Sequence, residues 1–208
     1  MPAGKEQVIR LRLSRKTPGE FAQPFRDFDQ VMATRLKEAD EFYDALTPPA
    51  VKPNPDRARI LRQALSGMLW TKQYFYFDLD LWLREHQADP ALHPGQRGCV
   101  RNREWAHMYN DGIISMPDKW EYPWYAAWDL AFHTLSLSLV DFDFAKDQLL
   151  LMLRTLYCHP NGQIPAYEWN FSDVNPPVHA WATLFLYNVE TQLGRADIRF
   201  LERSFQGL

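Results

Sequence analysis

Apolar residues recur at helical spacing along most of this chain, and only one short segment is predicted to be a β-strand. That segment is 8–13, and no second strand follows with which it could pair. Between residues 69 and 83 aromatic and polar residues alternate, so the pattern does not fix where the helix that begins at residue 55 ends. Helices are predicted over 27–46, 55–69, 124–140, 142–157 and 177–192, and from 197 onward. We therefore predict an all-α fold.

Two segments between these helices are long, polar and rich in aromatic residues. They span 86–120 and 163–175, and each leads into a helix. Loops of this length inside a compact domain are usually functional, and their many aromatic residues argue against disorder. An up-and-down bundle has short loops. The pattern therefore favours an αα toroid, in which αα-hairpins place their long loops on one face.

The composition is that of a folded protein with unusually many aromatic side chains. Hydrophobic residues make up 46% of the 208 residues, with 8 Trp, 9 Tyr and 13 Phe. A net charge of −3 gives no electrostatic reason to expect nucleic acid or an anionic membrane as a partner. No apolar run approaches the roughly 20 residues that span a bilayer, and the N-terminus lacks a signal-peptide pattern. We expect a cytoplasmic protein.

Familiar metal and cofactor motifs are missing from the sequence. Cys99 and Cys158 match no CxxC pattern, and the six histidines show no metal-binding spacing. The sequence contains no GxSxG, GxGxxG or P-loop motif. We predict neither a metal site nor a cofactor.

Residues 120–133 combine aromatic rings with two acids, one His and one Pro. A core segment rarely carries this polarity, since each buried polar group needs a partner. Sugars have an apolar C–H face and a rim of hydroxyls, which suits flat rings beside a carboxylate, and Trp and Tyr add a polar group of their own. We interpret the segment as part of a carbohydrate site. Its candidate substrate-binding residues are Tyr122, Trp124, Trp128 and Asp129.

Three candidate residues lie near predicted helix starts. The helix dipole and unpaired N–H groups would stabilise the carboxylate of Asp129 in a first turn. Asn175 precedes two prolines, and its amide can cap the next helix or bind a ligand hydroxyl. His179 lies about one turn further on and either faces the same pocket or is a hydrogen-bonded core histidine. A structural role is the alternative at each position.

Four other carboxylates lie close to aromatic residues in or beside the long loops. Solvent exposure is the simpler explanation for them, because charged side chains are usually solvated. They are Asp118, Glu121, Glu168 and Asp173.

Four segments, in content and in order, resemble one enzyme family. They are WEYPWYAAWDLAFH (120–133), VDFDFAKDQL (140–149), NGQIP (161–165) and NPPVHAW (175–181). The family is glycoside hydrolase family 63, the processing α-glucosidases and mannosylglycerate hydrolases. The resemblance covers about residues 27–208 and implies that they form the N-terminal half of an (α/α)6 barrel. Residues 1–26 would then be the remnant of a preceding β-sandwich, with the strand at 8–13 and a linker.

The resemblance also implies roles for individual residues. Tyr122, Trp128 and Asp129 would line the subsite of the cleaved sugar, and Asn175 would belong to the same pocket. Ala126 occupies a position at which some family members have Trp. The resemblance therefore implies that Trp124 would stack on the sugar instead.

The catalytic groups implied by the resemblance lie outside this chain. The general acid and the general base of the family belong to later motifs, and neither motif occurs before Leu208. Asp129 would be an auxiliary carboxylate of an inverting α-glycosidase. We expect a fragment that is inactive alone, whose partners are a small carbohydrate or oligosaccharide and the missing C-terminal half of the barrel.

Two other functions stay open. The chain could be a non-catalytic carbohydrate-binding helical protein, which would lack the acid and base motifs downstream. It could also be a sugar epimerase of the (α/α)6 type, which would need paired histidines, and His133 and His179 are the candidates for that pair.

Overall fold

The structure, a computed structural model, describes residues 4–20, 22–88, 102, 105–116 and 118–208. The chain divides into two compact units, Met1–Asn54 and Pro55–Leu208. In chain order the elements are a short 3-10 helix at Pro18–Glu20, α1 (Phe28–Leu46), α2 (Pro55–Trp70), β1 (Lys72–Asp78), α3 (Leu79–Glu85), β2 (Tyr109–Ser115), α4 (Ala127–Leu137), α5 (Phe142–Met152), α6 (Val178–Gln192) and α7 (Ile198–Gly207).

The first unit contains α1 and the segment that precedes it. Residues 8–13, predicted as a strand, are exposed and form no strand. Ion pairs link this segment to the start of α1: Arg10 Nη2 donates to Asp29 Oδ1 at 2.9 Å and Arg12 Nη1 to Asp27 Oδ1 at 2.8 Å. Exposed pairs of this kind contribute only about 0–1 kcal/mol. The predicted N-terminal strand is therefore wrong, because alternation makes a strand only where a partner strand accepts its hydrogen bonds.

The second unit contains a two-stranded antiparallel sheet of β1 and β2. Side chains of β1 alternate between its two faces, so Phe75 is buried while Tyr74 is exposed. Gly112 of β2 lies opposite Phe75. A Cβ at Gly112 would lie 3.1 Å from the Tyr157 hydroxyl, so a larger residue there would require the Tyr157 side chain to shift by a few tenths of an ångström.

The all-α toroid prediction is wrong, since the described residues form seven helices together with this sheet, a mixed α/β fold. The alternating aromatics after residue 70 form β1 rather than a continuation of α2. The long loop predicted over 86–120 contains β2. Residues 74–77 are four consecutive aromatic residues, a composition that favours a strand. A short strand is stable only when it is paired, and its partner β2 is distant in the sequence.

Helix starts were predicted more accurately than helix ends. Pro55 is the first residue of α2, where a missing N–H costs nothing. Asp141 caps α5 by accepting from Phe144 N at 3.1 Å, and Asp197 caps α7 by accepting from Phe200 N at 3.0 Å. Helix α4 is shorter than predicted at both ends, and α5 is shorter at its C-terminal end.

Two buried apolar clusters hold the second unit together. Burial of each large side chain contributes roughly 1.5–3 kcal/mol. The first cluster joins the sheet to α3 and to the start of α4, and it includes Phe75, Leu79, Leu83, Ile114, Tyr125, Leu130 and Trp169. The second joins α4, α5, α6 and α7, and it comprises Ala131, Leu137, Ala145, Leu149, Ala182, Leu186 and Phe200. Helix α4 contributes to both, which fixes its position.

A partly buried ion cluster connects α5, α6 and the start of α7. Lys146 Nζ donates to Asp197 at 2.7 Å and to both Glu190 oxygens at 3.2 Å. Burial alone lowers the pKa of Lys146, but the hydrogen bonds to the two carboxylates outweigh burial and raise it. The side chain of Glu190 is only 6% exposed, and Lys146 is the partner that offsets the cost of burying this carboxylate.

In the described part of the chain, the helices are all too short or too polar to cross a bilayer.

Candidate functional site

A cleft of about 410 Å³ lies at the N-terminal end of α4. Its volume falls within the roughly 300–1,000 Å³ typical of small-molecule sites. The described residues that line it are Tyr122, Trp124, Ala126, Trp128, Asp129, Ala166, Tyr167, Asp173 and Val174. Four aromatic rings and two carboxylates thus surround one cavity.

The turn before α4 presents the first two rings. Asp118 holds this turn together, because its carboxylate accepts from Trp120 N at 2.7 Å and its carbonyl accepts from Tyr122 N at 2.9 Å. The rings of Tyr122 and Trp124 then meet edge to face, with 5.6 Å between their centroids. Tyr125, the residue after Trp124, is fully buried in the first apolar cluster and anchors the turn to it.

A backbone bridge joins the start of α4 to the loop 163–175. Ala126 and Tyr167 form an isolated antiparallel bridge, and Ala127 N donates to Ala166 O at 2.9 Å. The bridge places Tyr167 on the wall that carries Trp128. Residues distant in the sequence therefore meet at the cleft through main-chain hydrogen bonds.

The loop 163–175 is organised by two buried residues. Trp169 is 2% exposed and adopts a left-handed backbone with φ of 47°, which is unfavourable for a residue with a Cβ and is offset here by burial. Asn170, also buried, donates from Nδ2 to Asp173 Oδ2 at 3.1 Å and accepts from Ser172 N at 3.0 Å. These contacts hold Asp173 at the rim of the cleft.

Asp129 is half-buried in the first turn of α4. The helix dipole stabilises a carboxylate at this position, and within the described residues no group donates a hydrogen bond to it. His133 lies one turn further along. Burial lowers the pKa of His133, against a smaller opposing effect of a hydrogen bond to Ser115 and of the Asp129 charge. The Asp129 oxygens are therefore available to a ligand.

The structure separates Asn175 and His179 from the other four candidate residues. Asn175 follows Val174 of the cleft, but its Nδ2 donates to Ile164 O at 2.8 Å, so the side chain fixes the loop. His179 is buried, and its Nε2 donates to Leu149 O at 2.9 Å. Burial lowers the pKa of His179 and outweighs that hydrogen bond. Neither side chain lines the cleft.

Five of the described residues that line the cleft are not among the sequence candidates, and two of them, Tyr167 and Asp173, have polar side chains. Asp173 is one of the four carboxylates for which solvent exposure is the simpler explanation, and the sequence assigns no role to Tyr167. Both belong to the loop 163–175, whose aromatic and polar composition was the available signal. Their contribution depends on the bridge at Ala126, which no local pattern predicts.

An exposed row of aromatic rings leads away from the cleft along α4 and α6. Ring centroids are 6.0 Å apart for Trp128 and Phe132, 5.7 Å for Phe132 and Trp181, and 6.0 Å for Trp181 and Phe185. All four side chains are exposed by 38% to 48%. Contiguous exposed aromatic surface of this kind usually marks an interaction site.

Within the described ranges, no three His, Cys, Asp or Glu side chains converge closely enough to hold a metal ion.

Comparison with known proteins finds a relative in yeast. The chain is 50% identical over 184 residues, 88% of its length, to an uncharacterized protein of Saccharomyces cerevisiae, YMR196W. It spans 17% of the length of that yeast protein. No family model and no solved structure matches the chain.

Proposed function

We propose that this chain binds a carbohydrate in the cleft at the start of α4. The observation that carries the proposal is the convergence of four aromatic rings and two carboxylates on one cavity of about 410 Å³. Rings of Trp and Tyr stack on the C–H face of a sugar, and their N–H and O–H groups bind hydroxyls. The two carboxylates accept hydrogen bonds from further hydroxyls.

The aromatic row beyond the cleft supports an oligosaccharide as the ligand. It begins at Trp128, which also lines the cleft, and continues through Phe132 to Trp181 without a gap. A single sugar would occupy the cleft, and the next units of a longer ligand would lie over the row.

We further propose that the sugar is bound for hydrolysis by a longer protein related to glycoside hydrolase family 63. An inverting glycosidase needs a general acid and a general base about 6.5–9.5 Å apart. In this proposal Asp129 is an auxiliary carboxylate, and the acid and base belong to sequence outside this chain. The length of the yeast relative is compatible with such a protein. The cytoplasmic location stays a prediction.

The two alternatives differ in how they fit the site. A non-catalytic carbohydrate-binding role uses the same cleft and differs only in lacking hydrolysis. The epimerase alternative needs two histidines at the sugar, but His179 is buried and bonded to Leu149. Among the described residues that line the cleft there is no histidine. The site therefore gives the epimerase alternative no support.

The proposal can be tested by isothermal calorimetry. The ligands are a neutral α-glucoside and a neutral α-mannoside, each as a monosaccharide and as a trisaccharide. We expect at least one series to bind, and Trp128→Ala to abolish that binding. Trp70→Ala is the matched control, since Trp70 is exposed by 77% and does not line the cleft. Binding that is lost equally in both variants, or absent from the unmodified chain, would refute the proposal.

A further inference from the structure

The described charged side chains that line the cleft are all acidic. Asp129 and Asp173 line it, and among its described lining residues there is no Lys, Arg or His. Asp173 accepts from the neutral amide of Asn170, which leaves its charge uncompensated. The N-terminus of α4 carries about half a positive charge, which offsets only part of two carboxylates.

The nearest basic side chain on α4 adds no compensation at neutral pH. His133 follows Asp129 by one helical turn, and burial lowers its pKa. The lowered pKa favours the neutral imidazole of His133 at about pH 7. A ligand entering the cleft meets a net negative charge.

The aromatic rings that line the cleft attract positive charge, as the carboxylates do. The faces of Trp and Tyr rings carry partial negative charge and attract cations. Trp124, Trp128, Tyr122 and Tyr167 supply four such rings around the cavity. Rings and carboxylates together form a site that stabilises positive charge on a ligand and destabilises negative charge.

We infer that the cleft selects saccharides by charge, with an amino sugar in its ammonium form preferred over the neutral sugar of the same shape and a uronic acid rejected. This inference rests on the proposed carbohydrate binding and names the ligand class for that site. The ammonium group lies between the carboxylates and the ring faces, while the sugar ring stacks as a neutral sugar does.

The test is calorimetric titration with four ligands at about pH 6, where the amino group is protonated and carboxylates are ionised. They are methyl α-glucoside, the corresponding methyl glucosaminide, methyl glucuronide and tetramethylammonium. We expect the glucosaminide to bind about tenfold more tightly than the glucoside, and the glucuronide to bind most weakly. The preference should shrink in about 0.5 M salt because screening weakens the charge term.

Variants separate the charge term from sugar stacking. In Asp129→Asn and Asp173→Asn the ratio of glucosaminide to glucoside affinity should fall towards one. Asp143→Asn is the control, because Asp143 lies in the first turn of α5 and does not line the cleft. That variant should keep the unmodified ratio.

The outcomes distinguish the two proposals. Glucoside binding without any preference for the glucosaminide overturns the charge inference and leaves carbohydrate binding intact. Binding of no saccharide overturns both. Tetramethylammonium binding as tightly as the glucosaminide, with no glucoside binding, also overturns both, because the cleft would then be a cation site of the kind that recognises methylated lysine.

Discussion

Ala126 and Tyr167 pair in an isolated antiparallel bridge that joins the start of α4 to the loop 163–175. The adjacent bond, from Ala127 N to Ala166 O at 2.9 Å, extends the connection by one residue. Two of the four aromatic rings of the cleft, Trp128 and Tyr167, depend on this contact for their position. Ligand affinity should therefore depend on main-chain hydrogen bonds as well as on the side chains that touch the ligand.

Ala127→Pro removes one of these hydrogen bonds without breaking the helix. Ala127 is the first residue of α4, where proline is well tolerated, and Ala126 already has the extended backbone that precedes a proline. We expect an unchanged helical circular-dichroism signal and a several-fold loss of saccharide affinity. Ala127→Gly keeps the N–H and serves as the control. Equal affinity in the two variants would show that the bridge does not position the cleft.

Lys146→Met should destabilise the second unit by about 3 kcal/mol, because it leaves the buried Glu190 carboxylate without its partner. Urea unfolding followed by fluorescence measures this loss. The double variant Lys146→Met and Glu190→Met should recover most of it, since an apolar pair of similar volume replaces a buried ion pair with little cost. A double variant no more stable than the single one would contradict the account of the ion cluster.

Stability should fall as the pH drops below about 6.5. Burial holds the pKa of His179 below its ordinary value of 6.5, so the unfolded chain binds more protons than the folded chain in that range. The stability that depends on a neutral His179 is complete above about pH 6.5 and is lost as the pH falls towards the lowered pKa of His179. His133 contributes in the same direction. Thermal unfolding of the unmodified chain and of His179→Gln can be compared between about pH 7.5 and about pH 5.5. The unfolding temperature should fall less steeply with falling pH in the variant.

Parts of this structure follow from short-range patterns in the sequence. Pro55, Asp141 and Asp197 mark helix starts correctly because capping depends on neighbouring residues only. Tyr122, Trp124, Trp128 and Asp129 were recognised together because they lie in one segment, and they do share the cleft. Which ligand they bind stays a prediction.

The features that local sequence patterns do not predict depend on contacts between distant segments. Strand β1 carries a local signal, the four consecutive aromatic residues 74–77, which favours a strand over the end of a helix. Its pairing with β2 involves a distant segment that local patterns do not identify. Tyr167 and Asp173 reach the cleft through the bridge at Ala126 and the buried amide of Asn170. His179 was a plausible pocket residue by spacing, but tertiary packing turns it towards Leu149.

An oligosaccharide should bind more tightly than a monosaccharide if the ligand extends along the aromatic row. Trp181 is exposed by 48% and lies outside the cleft, so Trp181→Ala should reduce trisaccharide affinity several-fold and leave monosaccharide affinity unchanged. Leu184→Ala provides a control of similar exposure on the same helix. If Trp181→Ala alters neither affinity, the ligand is confined to the cleft.

The most direct test of the account is the indole region of a ¹H–¹⁵N NMR spectrum recorded during titration with the saccharide. The chain has eight tryptophans, and single Trp→Phe variants assign their signals. We predict that the signals of Trp124 and Trp128 shift with saturation at about millimolar ligand, while that of Trp70 stays in place. Unchanged Trp124 and Trp128 signals at about 50 mM saccharide would show that the cleft at the start of α4 is not a carbohydrate site.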